Sequence, residues 1–141
     1  MQVWMSSESS KEVLSEDQLT QLRLARNSVE NILKSRLEHK IYAIPLDSWN
    51  CISIMMGPTG FEERVIYSFK KKHMDFRLKI NYEDFNSTDD LGRQKLIFDM
   101  MLRSLDLLKN KFEKVRPKLE EKVYKELERL KRDVLEIAQI K

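Results

Sequence analysis

The 141-residue chain predicts an α+β fold: an antiparallel meander of three to four strands, preceded by one long helix and followed by two helices. Three observations carry that expectation. Apolar residues recur at spacings of three and four from Leu19 to Leu37, β-branched and aromatic residues replace helix formers between Lys40 and Tyr82, and helical spacing returns from Leu91 onward. Composition places all of this in one domain. At 41% hydrophobic and 35% charged residues, the chain is too apolar to stay disordered, and it is long enough to bury a core without disulfides or a structural metal.

At the N-terminus, residues 6–12 are polar and serine-rich, so residues 1–14 are expected to be a flexible segment carrying Val3, Trp4 and Met5, with the folded domain spanning 15–141. Ser15-Glu16-Asp17-Gln18 has the form of a capping box and puts two acids in a positive first helical turn. The first helix therefore starts after Ser15, and its stripe of Leu19, Leu22, Ala25, Val29, Ile32, Leu33 and Leu37 carries it to about residue 39.

Lys40–Ile44 reads as a short strand that stops at Pro45, with Leu46-Asp47-Ser48 as a turn. Trp49–Met56 is a nearly continuous apolar strand closed by the turn Gly57-Pro58-Thr59-Gly60. In it Trp49, Cys51 and Met55 point opposite to Ile52, Ile54 and Met56, so any face left uncovered by helices would be an apolar patch. Glu63–Phe69 and Asp75–Tyr82 form the next pair through Lys70-Lys71-Lys72-His73, and the last strand alternates Phe76, Leu78, Ile80 and Tyr82 with Arg77, Lys79 and Asn81. Connections this short favour antiparallel neighbours, because parallel ones need crossovers of a dozen residues or more.

The second helix begins around Ser87-Thr88-Asp89-Asp90 and continues through Leu91, Leu96, Ile97, Met100, Met101, Leu105, Leu108 and Phe112. Pro117 marks a new helix or a kink. The last segment places Leu119, Val123, Leu127, Leu130, Val134 and Ile137 on one stripe, with Glu121/Lys125 and Glu128/Arg132 outside it. That stripe fits packing on the sheet, a helical hairpin with residues 89–113, or the seam of a homodimer; three heptads are short for an independent coiled coil.

Function classes narrow by chemistry. Net charge is +3, with 12 Lys/Arg against 8 Asp/Glu in residues 100–141 and 14 against 15 in residues 1–99. The basic excess alternates with acids, a weak footprint for nucleic acid; a small nucleic-acid-binding module using Lys70–Lys72 and the last helices is the alternative reading. Cys51 is the single cysteine, which excludes an intrachain disulfide and points to a reducing compartment. The N-terminal residues lack the basic and apolar regions of a signal peptide, and no uncharged apolar run approaches membrane-spanning length, so a cytoplasmic location and no membrane partner are expected. His39 and His73 have no cysteine or acid at ligand spacing, so neither metal nor cofactor is expected; His39 suits a helix C-terminus and His73 a solvated turn. Phosphate-loop, zincin and nucleophile-elbow motifs do not occur. The paired acids Glu62-Glu63, Glu83-Asp84 and Asp89-Asp90 carry the residue types of carboxylate catalysis but none of its specificity, and the reading is of a binding protein rather than an enzyme.

Tyr42-Ala43-Ile44-Pro45-Leu46-Asp47-Ser48-Trp49, Met74–Tyr82, Arg93–Phe98 and Leu102–Asp106 resemble the immunity protein 44 family of bacterial polymorphic toxin systems, over roughly residues 40–112. The resemblance implies a small cytosolic α+β protein that binds a cognate toxin domain, often a nuclease, and neutralises it by stoichiometric contact; it carries no catalytic signature. Its chain is not strongly acidic, so global mimicry of nucleic acid is not expected, and a local acidic patch beside an apolar anchor is the physically reasonable interface. The candidate partner-binding residues are Asp47, Trp49, Glu83, Asp84, Asp89 and Asp90.

Overall fold

A computed structural model describes residues 2–9, 15–44, 49–56, 60–69, 72–115 and 121–139. In chain order the elements are β1 (Gln2–Ser9), α1 (Glu16–Leu37), β2 (Trp49–Met56), β3 (Gly60–Phe69), β4 (Lys72–Asn81), α2 (Tyr82–Asn86), α3 (Asp90–Val115) and α4 (Glu121–Gln139). The fold is α+β, as the periodicities predict. Its sheet is mixed, in the order β1-β2-β3-β4, with β2–β3 and β3–β4 antiparallel and β1 parallel to β2.

Three elements depart from the sequence-based expectation, one of them the short helix α2, which opens at Tyr82 and makes three helices after the sheet where two were expected. The N-terminal segment, expected as a flexible tether, is the edge strand β1, with Gln2 paired to Trp49 and Ser9 to Met56. Its own composition is a poor strand signal, but Val3 and Met5 are buried in the common core, Ser6 Oγ lies 2.6 Å from Ser53 Oγ, and Arg26 of α1 donates to the Met5 carbonyl at 3.1 Å. The parallel pairing is allowed because α1 lies between β1 and β2 and supplies the long crossover. Lys40–Ile44, expected as a strand, is irregular. Its partners come from α4 instead: Tyr42 donates to Asp133 at 2.6 Å, Lys40 pairs with Asp133 at 3.2 Å, and Arg129 donates to the Ile41 carbonyl while stacking on the Tyr42 ring. Burial raises the Asp133 carboxyl, but the hydrogen bonds from Tyr42 and Lys40 outweigh it and hold the group below its ordinary range.

Alternation divides the sheet cleanly. Ile52, Ile54 and Met56 of β2, Phe61, Val65 and Tyr67 of β3, and Phe76 and Ile80 of β4 are buried toward the helices. On the other face Glu62, Arg64, Asp75, Arg77 and Lys79 are exposed, Met55 is partly so, and Trp4 leaves 59% of its surface open. The helices form two further layers: α1 lies against β1, α3 against β4, and α4 packs on α1 and α3.

Ser15 caps α1 as expected, in extended backbone with its side chain accepting the Gln18 N–H at 3.3 Å. The α4 stripe of Val123, Leu127, Leu130, Val134 and Ile137 is buried within the chain, which selects the helical hairpin over sheet packing or a dimer seam for those side chains. Lys109–Glu128 and Lys131–Asp106 ion pairs, at 2.6 and 2.7 Å, run α3 and α4 antiparallel.

Candidate functional site

The acids singled out in the sequence gather at one corner of the molecule. The strand β4 ends at Asn81, whose side chain accepts the Glu83 N–H at 3.0 Å and starts the short helix α2. Glu83 and Asp84, which follow directly on the strand expected over Asp75–Tyr82, are therefore the exposed first turn of α2, where acids suit the positive helix terminus. Phe85 anchors α2 by packing edge-to-face on Phe61, with ring centroids 4.5 Å apart.

Three residues later α3 begins, and Asp89 accepts the Gly92 N–H at 2.9 Å as its cap. Asp90 is almost wholly exposed and pairs with Arg93 at 3.1 Å. Arg93 joins the two helices: its Nε donates to the Phe85 carbonyl at 3.0 Å and its guanidinium lies over the Phe85 ring. That arginine is committed to structure, so the exposed carboxylates of Glu83, Asp84, Asp89 and Asp90 dominate the corner.

Beside the acids runs a groove of about 320 Å³ that the sequence did not reveal. It opens where α1, α3 and α4 converge: Ile32 comes from α1, Leu91, Gly92 and Phe98 from α3, and Ala138 from α4, with Asp89 and Lys95 also lining it. Each contributor is ordinary within its own helix, and only the packing of three helices makes them one surface. A Cβ on Gly92 would fall 1.8 Å from Thr88 Oγ1, so any larger residue there needs the Thr88 side chain to move. No group of three or more His, Cys, Asp or Glu among the described residues is arranged to hold a metal ion.

Two candidates remain, Asp47 and Trp49. Asp47 lies outside the described residues. Trp49 opens β2, and its side chain lies outside the described set. Ladder register puts the start of β2 at the end of the sheet opposite to Asn81 and α2, because Asn81 pairs with Gly60 and Phe61 with Met56. Along an eight-residue strand that separation is roughly 23 Å.

Fold and site together describe a layered α+β protein whose helical side carries a largely apolar groove that Asp89 and Lys95 also line, next to a corner of exposed acids. No helix among the described residues is long and apolar enough to cross a membrane. Comparison with curated protein sequences and with solved structures gave no match. The profile of the family described as Immunity protein 44 matches residues 1–139, and the chain belongs to that family. The match extends beyond the 40–112 core of the resemblance, so β1 and α4 are part of the family's domain.

Proposed function

We propose that this protein binds a cognate bacterial toxin domain in the cytoplasm of the producing cell and neutralises it by forming a stoichiometric complex, acting as a binding protein and not as an enzyme. Membership of the immunity protein family carries this reading. The physical support is the corner of exposed carboxylates, which would meet lysines and arginines in a partner's cleft, speed encounter and fix orientation. A nuclease toxin fits this chemistry, since a cleft that binds phosphates is basic.

Glu83, Asp84, Asp89 and Asp90 are the proposed first contacts. Trp49 belongs to the same interface only if the toxin spans the sheet, which an interface of roughly 800 Å² per partner has the width to do; Asp47 remains a proposed contact from the sequence alone. The alternative of nucleic-acid binding has less support, because basic residues of the last helices are engaged in ion pairs: Lys109 with Glu128, Lys131 with Asp106, Lys125 with Glu121 and Arg129 with Glu126.

The test uses the toxin domain encoded beside this chain. Co-expression should protect cells, and size exclusion with light scattering should give a complex of fixed stoichiometry. Replacing Glu83 and Asp84 together by lysine should weaken binding about tenfold or more, with thermal unfolding little changed because both side chains are exposed. Absence of both protection and a complex for the unaltered protein overturns the proposal.

A further inference from the structure

We infer that the groove between α1, α3 and α4 seats an apolar side chain of the toxin domain, presented next to a lysine or arginine that meets the Asp89–Asp90 rim. The inference rests on the toxin-binding reading above and adds to it the chemistry of the contact. Much of the groove's lining is apolar: Ile32 from α1, Leu91 and Phe98 from α3 and Ala138 from α4. At about 320 Å³ it lies at the lower end of pockets that seat a compact group, roughly 300–1,000 Å³.

Two exposed leucines stand on the helices that form it. Leu91 leaves 48% of its surface open on the groove wall, and Leu135, one turn before Ala138 on α4, leaves 42% open. Neither contributes to the chain's own core, whereas the α4 stripe beside them is fully used. The groove's own lining carries one acid, Asp89, and one cation, Lys95, and the excess of negative charge lies at the adjoining start of α3 and on α2. Asp89 and Asp90 stand at the start of α3 with Glu83 and Asp84 on the adjoining α2, while Arg93, one residue after Gly92, is held by Phe85 and Asp90. Lys95 is the single cation among the described groove-lining residues. Complementarity at the Asp89 end therefore favours a basic group there, and the apolar lining favours a partner that places a hydrophobic residue beside its basic one. A desolvated apolar anchor ringed by charges is the arrangement that concentrates binding energy and sets register together.

Leu91→Asp separates this contact from a purely electrostatic one. An acid in the first turn of α3 suits the helix terminus, so the helix is not weakened, and the corner gains a negative charge. A contact made by charge alone would tighten; a contact with an apolar anchor would loosen. Leu91→Ser removes the apolar surface without adding charge. Titration calorimetry with the neighbouring toxin domain should show both variants binding about tenfold or more weaker than the parent, with unchanged unfolding midpoints.

Tighter binding by Leu91→Asp, or parental affinity for Leu91→Ser, overturns the inference; if the Glu83/Asp84 lysine variant still binds weakly, the toxin-binding proposal itself stands. Self-association of the protein alone that Leu91→Asp abolishes would assign the groove to a second copy and also overturn it. Failure of the unaltered protein to bind the toxin domain overturns the reading beneath it.

Discussion

Glu63 has no exposed surface, and neither of its carboxylate oxygens has a hydrogen-bond partner. It sits on the helix-facing side of β3 between Ile54 and Leu78 on the neighbouring strands. Burial pushes its carboxyl up to about 8, from an ordinary 4.5, and the Arg103 guanidinium only partly opposes that. A carboxyl whose folded value is raised contributes its stability fully below the unfolded value and loses it as pH rises through the folded one. The window is therefore about 4.5 to 8. The unfolding free energy of the parent should fall relative to Glu63→Gln across that window, by a few kcal/mol at about 1.4 kcal/mol per pH unit. Urea titrations of both proteins at pH 5, 6.5 and 8 check it, and parallel pH profiles would show that Glu63 is not the source. In the sequence Glu62 and Glu63 look alike, a surface pair of acids. Alternation makes one of them an inward residue, and only the strand register decides which, because a shift of one residue exchanges the faces.

Among the elements, α1, β2 and the span of α3 were legible because their signals are local: a cap, a period, an apolar run. The strand β1 was not, since its polar serines resemble a tether, and its stability comes from pairing with a distant strand and from two buried side chains, Val3 and Met5. Val3→Asp should therefore behave as a core mutation. We expect a loss of about 3 kcal/mol or more, from an unpaired charge in an apolar site, measurable as a large drop in the chemical denaturation midpoint, with β2 left as an open edge prone to association. The same substitution in a free tether would be silent. Gly60 gives a second check on the sheet. A Cβ there would lie 2.3 Å from the Ile80 carbonyl oxygen, so the β3–β4 backbones must part for Gly60→Ala to be accommodated. A cost of about 1–3 kcal/mol is expected, read by thermal unfolding. Lys40–Ile44 failed as a predicted strand because α4 claims its tyrosine hydroxyl and a carbonyl, a competition invisible along the chain.

For the whole molecule, net charge and local charge point in opposite directions. The chain is +3 overall with a sequence pI near 8.9, yet the proposed contact corner is acidic. If encounter with a basic toxin is steered by that corner, the association rate should fall as salt rises from about 50 to 500 mM, since the screening length shrinks from more than 10 Å to a few ångströms. Stopped-flow mixing would read this, and a rate that rises with salt would mean that net repulsion governs the approach. The sequence by itself determined the fold class, most element boundaries, the lack of recognised catalytic motifs and the acids of the corner, because caps, periods and composition act over a few residues. Tertiary structure decided what lies far apart in the chain: that the N-terminus is a strand, that Glu63 is buried while Glu62 is not, that Trp49 and the acids stand at opposite ends of the sheet, and that Ile32, Leu91, Phe98 and Ala138 form one groove. Those outcomes depend on which surfaces three helices and a sheet present to one another, and no short stretch of sequence encodes that arrangement.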